Sequence, residues 1–151
     1  MKLSANFNLA ELIKSQTAER KGIPNNPSPG QIDNLRDLCM NVLQPIRSNF
    51  EKPVIISSGY RSAELCIAIG SVLTSQHTEG KAADIEVPGV DNKELAEWIR
   101  NNLEYDQLIL EFYKEGEPDS GWVHVSYNGE NNRNQFLIAS RENDKVIYRP
   151  A

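Results

Sequence analysis

The whole chain contains two histidines, His77 and His124. His77 stands in "SQHTEGKAADIEV", seven residues before Asp84, with Gly80 and the small residues Ala82 and Ala83 between them. Imidazole nitrogen and carboxylate oxygen are both good zinc ligands, and a catalytic zinc typically takes three protein ligands and leaves a fourth position for water. Gly80 has the conformational freedom to fold the chain back so that His77 and Asp84 meet. His124 lies inside "WVHVS". Strand alternation there puts Trp122, His124 and Ser126 on one face and Val123 and Val125 on the other. A histidine aimed off a strand at a cleft can be the third ligand. Taken alone, a histidine is more often a hydrogen-bonding or surface residue, and the H-x6-D spacing is a weak signal.

These residues need elements to hold them. Asn8 with Glu11 three residues later is a capping-box pattern, and Leu9, Leu12 and Ile13 then predict a helix that Gly22 stops. "GIPNNPSPG" is loop by composition. Ser28 with Pro29 and Gln31 predicts a second helix start. Ile32, Leu35, Leu38, Val42, Leu43 and Ile46 recur at helical spacing from there, and Pro45 is expected to kink or break the helix. Val54, Ile55 and Ile56 read as a short buried strand. Ser62 caps a short helix through Ile69, and "AADIEV" reads as a strand. Asp91 with Glu94 caps a helix carrying Leu95, Trp98 and Ile99. "DQLILEF" and "GWVHVSY" are strands, with "QFLIAS" and "KVIYRP" as a closing pair. In "DQLILEF", Gln107, Ile109 and Glu111 share one face, and Leu108, Leu110 and Phe112 the other. The order suits one α+β domain over residues 1–151, its N-terminal helices packed on a mostly antiparallel sheet.

Composition narrows the partners. The 151 residues suit a single core. A net charge of −5 and the lack of any Lys/Arg cluster argue against nucleic acid and against an anionic membrane surface. No apolar run approaches a membrane helix, and the first residues do not read as a secretory signal. Cys39 and Cys66 each sit in an apolar stretch and read as buried small hydrophobes, with a disulfide or a thiolate zinc site as the minority reading.

"SGYRS", then "SQHTEGKAAD", then "WVHVS" resembles the zinc D-alanyl-D-alanine carboxypeptidase and peptidoglycan endopeptidase family. Phage lysins and vancomycin-resistance dipeptidases belong to that family, and its fold is shared with the hedgehog signalling domain. Ser75, His77, Gly80, Ala82 and Asp84 fill every fixed position of its S-x-H-x-x-G-x-A-x-D pattern. The N-terminal stretch "FNLAELIKSQTAERKGIPNNPSP" looks like the phage-associated branch, and the resemblance covers roughly residues 6–128. It implies a hedgehog-like or D,D-peptidase-like fold with His77, Asp84 and His124 as zinc ligands. Both histidines of the chain then fall on ligand positions.

By the same resemblance Arg61, in "SGYR", binds a substrate carboxylate or carbonyl and steadies the developing oxyanion, which suits a forked, permanently charged guanidinium. The alternative is a salt bridge that holds the loop. Ser75 either orients the His77 loop and binds substrate or simply caps a turn. Many family members carry an acid three residues before the last histidine, where this chain has Gly121. Glu111 is the candidate general base instead, because an antiparallel neighbour would bring it near His124, and hedgehog similarly ends the preceding strand in an acid. Asp119 is the runner-up, with Glu117 nearby on the same loop.

The expectation is a zinc peptidase that hydrolyses stem peptides of peptidoglycan, acting as a monomer. It would be made in the cytoplasm and reach the wall after release, as a phage lysin or as part of a virion. The alternative is a non-catalytic zinc-binding domain, kept open by Gly121. Specificity is expected in the cleft loops 66–76 and 113–121.

Overall fold

Ser28 starts the helical layer as its neighbours dictate. Its hydroxyl accepts from the Gln31 backbone N–H, the Gln31 side chain accepts from the Ser28 N–H, and Pro29 takes the first helical position. Helix α3 (Pro29–Leu38) then runs into a π-helical turn, Cys39–Leu43, and on into α4 (Gln44–Phe50). Pro45 has no N–H for the carbonyl of Asn41. The backbone absorbs the misfit by widening one turn, so that the Gln44 N–H reaches back to the Cys39 carbonyl, and the helix continues without a break.

The structure is a computed structural model that describes residues 1–73 and 75–151. Thr74, inside the 66–76 loop, lies outside the described residues. Two short strands, β1 (Lys2–Ser4) and β2 (Phe7–Asn8), pair antiparallel ahead of the helices. The single helix expected from Asn8 to Gly22 is two, α1 (Leu9–Ile13) and α2 (Gln16–Lys21). Ser15 is extended between them, and its hydroxyl caps the second by accepting from the Ala18 N–H. A serine that can satisfy orphan N–H groups makes the break inexpensive.

After the helices come β3 (Ile55–Ser58), α5 (Ala63–Ala68), a 3-10 turn at Gln76–Glu79 and β4 (Ala82–Glu86). Helix α6 (Asn92–Asn102), β5 (Gln107–Glu111), β6 (Trp122–Ser126), β7 (Gln135–Glu142) and β8 (Lys145–Pro150) complete the chain. The main sheet runs β3-β4-β6-β5-β7-β8. Every neighbouring pair in it is antiparallel except β5 and β7, which run parallel. The fold is therefore α+β with helices on a mostly antiparallel sheet, as expected.

One face of the sheet is dry. Ala83, Ile85, Leu108, Leu110, Val123 and Val125 alternate onto it and meet Leu35, Leu38, Val42, Leu43 and Ile46 of the helical layer with Leu95 and Ile99 of α6. Cys39 and Cys66 are fully buried, reduced side chains, and burial pushes the Cys39 thiol up to about 12. The strand expected to be buried at Val54–Ile56 is instead an edge. Ile55 is 50% exposed, while Val54, just before the strand, takes the core position. A run of three β-branched residues does not reveal whether a second neighbour will cover it.

Candidate active site

The opposite face of the sheet carries the polar residues, and register lines them up. Asp84 pairs with His124 across β4 and β6, and His124 pairs with Ile109 across β6 and β5. Glu111 sits two pairs further along, on the same face and opposite Trp122. The strand alternation read from "WVHVS" and "DQLILEF" therefore holds from Gln107 to Glu111. It fails at Phe112, whose positive φ of 56° turns its ring beside Trp122, with the centroids 5.4 Å apart, instead of onto the core face.

His77 arrives from the 3-10 turn. Ser75 caps that turn by accepting from the His77 N–H, so its hydroxyl orients the His77 loop. Gly80 closes it at φ 74°, and any Cβ there would lie 2.6 Å from the Gln31 carbonyl oxygen of α3, so both the turn and the packing require glycine. The imidazole Nδ1 lies 2.7 Å from the buried Gly59 carbonyl, which accepts its proton and leaves the Nε2 lone pair free. That Nε2 is 3.6 Å from Asp84 Oδ1, and His124 Nδ1 is 3.0 Å from the same oxygen. One ligand atom from each of the three residues lies within 4.8 Å of the others. Burial by itself raises an acid, but the hydrogen bond from His124 and the neighbouring His77 imidazole outweigh it and hold Asp84 well below the usual carboxylate range. Two aromatic nitrogens and an ionised oxygen, converging with one histidine already held by a backbone carbonyl, fit the donor set of a catalytic zinc.

Arg61 is placed by a web around its loop. The Arg61 N–H donates to the His77 carbonyl, tying the two loops together. Asn25 donates to the carbonyls of Ile13 and Tyr60 and accepts from the Ser62 N–H. A bulge in β3 between Ile56 and Ser58 re-aims Ser58, whose hydroxyl accepts from Arg61 Nε at 2.8 Å. Arg61 Nη2 then reaches Asp84 Oδ2 at 3.4 Å. The guanidinium thus sits beside the candidate metal ligands and also faces the cleft.

Glu111 shares that cleft. The Trp122 indole N–H donates to its Oε2 at 2.7 Å, fixing the carboxyl, and among the described residues Oε1 makes no hydrogen bond. Burial, then the charge of Asp84, pushes the Glu111 carboxyl above its ordinary range. Gly121 adopts φ 64°, and a Cβ there would overlap the Glu111 carbonyl oxygen, so the backbone leaves no room for an acid at that position. Asp119 lies apart from this cleft, in a depression with Ile55 and Glu86.

The cleft has a volume of about 480 Å³. Ser71, Val72, Ser75 and Gln76 of the first expected loop line it, but no residue of 113–121 does. Gln107, Ile109 and Trp122 also line it, together with Arg133 and Tyr148, which the sequence did not single out. Neither stands in a recognisable pattern, and both reach the cleft only because β7 pairs with β5 and β8 with β7.

Residues 5–126 match a family model described as Peptidase M15. A search of the curated proteins finds no match.

Proposed function

The chain belongs to the peptidase M15 family, and from that premise we propose that it hydrolyses peptide bonds in the stem peptides of peptidoglycan with a zinc ion held by His77, Asp84 and His124. The observation that carries the reading is the convergence of these three ligands with Glu111 and Arg61 in one cleft. Zinc, when bound, supplies a Lewis acid that polarises a carbonyl and makes water nucleophilic near neutral pH.

The protein's own groups do the rest. Glu111, oriented by Trp122, takes a proton from the attacking water and returns it to the leaving amine. Arg61, held on Ser58, places positive charge where the carbonyl oxygen becomes negative. Asp84 stays ionised and orients His124, while the Gly59 carbonyl orients His77. Ser75 acts through the His77 turn. The setting we propose is the cell wall, reached as a phage-type lysin or as part of a virion, with no nucleic-acid or membrane partner. The net charge of −5 supports that last point, and no described helix is long and apolar enough to cross a membrane.

Gly121 alone motivates the alternative of a non-catalytic zinc domain, and the Glu111 carboxyl in the same cleft weighs against it. The test is mass spectrometry of muropeptides released from purified peptidoglycan, with and without chelator. Chelator-sensitive release of shortened peptides is expected, and their masses name the bond. An unchanged digest with stoichiometric zinc present would favour the non-catalytic domain.

A further inference from the structure

We infer that Arg133 binds a free carboxylate of the peptide substrate at a subsite along β5, which deepens the peptidase reading and rests on it. Arg133 lies beyond the matched residues 5–126, in the connection between β6 and β7. Its partner is Asp106, whose side chain is only 3% exposed. Arg133 Nε donates to Asp106 Oδ1 at 3.0 Å and Nη2 to Oδ2 at 2.8 Å. The Arg133 backbone N–H also donates to Oδ1, and the Gln76 side chain to Oδ2. Gln76 is the neighbour of His77, so this network joins the metal-holding turn to the far wall of the cleft.

A buried acid with four donors is more than a surface ion pair requires. It fixes the guanidinium by its Nε–Nη2 edge, and among the described residues Nη1 makes no hydrogen bond. The Arg133 side chain is still 54% exposed and lines the cleft. A planar cation held on one edge and open on the other is preorganised for a carboxylate. Asp106 directly precedes β5, and Ile109 marks the level of His124. Three residues of strand separate the two levels by about 10 Å. The carboxylate recognised is therefore two or three extended residues away from the scissile bond. Arg61 cannot take this part, because it sits on Asp84 at the reacting centre.

The source of the carboxylate is either the peptide's C-terminus or an acidic side chain, and two amidated peptides separate them. Binding is measured by calorimetry in the zinc-loaded Glu111→Gln protein, with one stem peptide in three forms: unmodified, C-terminally amidated and side-chain amidated. One amidation is expected to weaken binding by about 10–100-fold, the value of a charge-assisted hydrogen bond. Adding Arg133→Gln should cause the same loss on the unmodified peptide and abolish sensitivity to that amidation. The Asp106→Asn/Arg133→Gln pair, which leaves no buried charge unmatched, should behave alike and guards against misfolding. Arg133 variants that weaken all three peptides equally, or none, overturn the inference while leaving the peptidase reading intact. Arg133-dependent discrimination in a parent that never hydrolyses the peptide upholds the inference and overturns the peptidase reading. Failure of every peptide to bind overturns both.

Discussion

Replacing Gly121 by alanine should damage the protein more than any ordinary loop substitution, by an amount the geometry sets. The residue is at φ 64°, and the new Cβ would overlap the Glu111 carbonyl oxygen and lie 2.8 Å from the Phe112 carbonyl carbon. The left-handed backbone alone costs an alanine about 1–2 kcal/mol. The obstacles are backbone atoms at the end of β5, so relief requires a strand shift of the kind that costs a further ~1–3 kcal/mol. Together that is about 2–5 kcal/mol, and at roughly 2–4 °C per kcal/mol for a chain of this size the melting temperature should fall by about 4–20 °C. Gly129 is the control: its φ is 63°, yet among the described residues nothing lies within 4 Å of a Cβ built there. Gly129→Ala should show the conformational cost alone, about 2–8 °C on the same scale. Thermal unfolding of the two variants beside the parent isolates the overlap. Because the strand shift carries Glu111 with it, turnover of folded Gly121→Ala should also fall. Equal melting temperatures for the two variants would refute the claim that position 121 is closed to side chains.

Other outcomes follow from the cleft. His124→Ala should lose most of the bound metal, read by elemental analysis, together with all hydrolysis. Glu111→Gln should keep its metal and lose about 10²–10⁴-fold in turnover on peptidoglycan, while Asp119→Asn stays within a few-fold of the parent, given its separate depression; the reverse ranking would move the base to Asp119. Hydrogen bonding from Arg133 holds Asp106 below its ordinary value of 3.8, so this pair stabilises the fold above the usual carboxylate range and the gain is lost as pH falls through the lowered pKa. Asp106→Asn should therefore unfold at a lower temperature than the parent at pH 7, with the gap closing below about pH 4; a gap that widens in acid would contradict the pairing.

Local chemistry was the legible part of this fold. The caps at Ser28 and Ser62 depend on residues three positions away and are where the side chains suggest. Alternation in β5 and β6 read correctly because one face of each is dry. Neighbourhood across the sheet was not legible. Ile55 is exposed because β3 has no outer strand partner among the described residues, and Tyr148 reaches the cleft through two successive pairings, one of them parallel. The candidate metal ligands His77, Asp84 and His124, which the structure brings together, were legible through a motif that fits within ten residues and one later histidine. Arg133 is tied to Asp106, 27 residues earlier, with nothing in either segment that marks the other. Pro45 announced a disturbance but not its form, since whether a helix kinks or widens by one residue depends on what packs around it.

The two buried thiols give this protein a pair of internal clocks. A thiol reacts as its thiolate, and Cys39, fully covered and pushed up to about 12, offers almost none at neutral pH while the chain is closed. Alkylation of Cys39 therefore waits for the helical layer to open. Cys66 is equally covered but sits in α5, a six-residue helix beside the Arg61 loop. Its labelling rate reports on the cleft side of the molecule. Comparing the two rates with and without metal tells whether occupying the site tightens one corner of the structure or the whole of it.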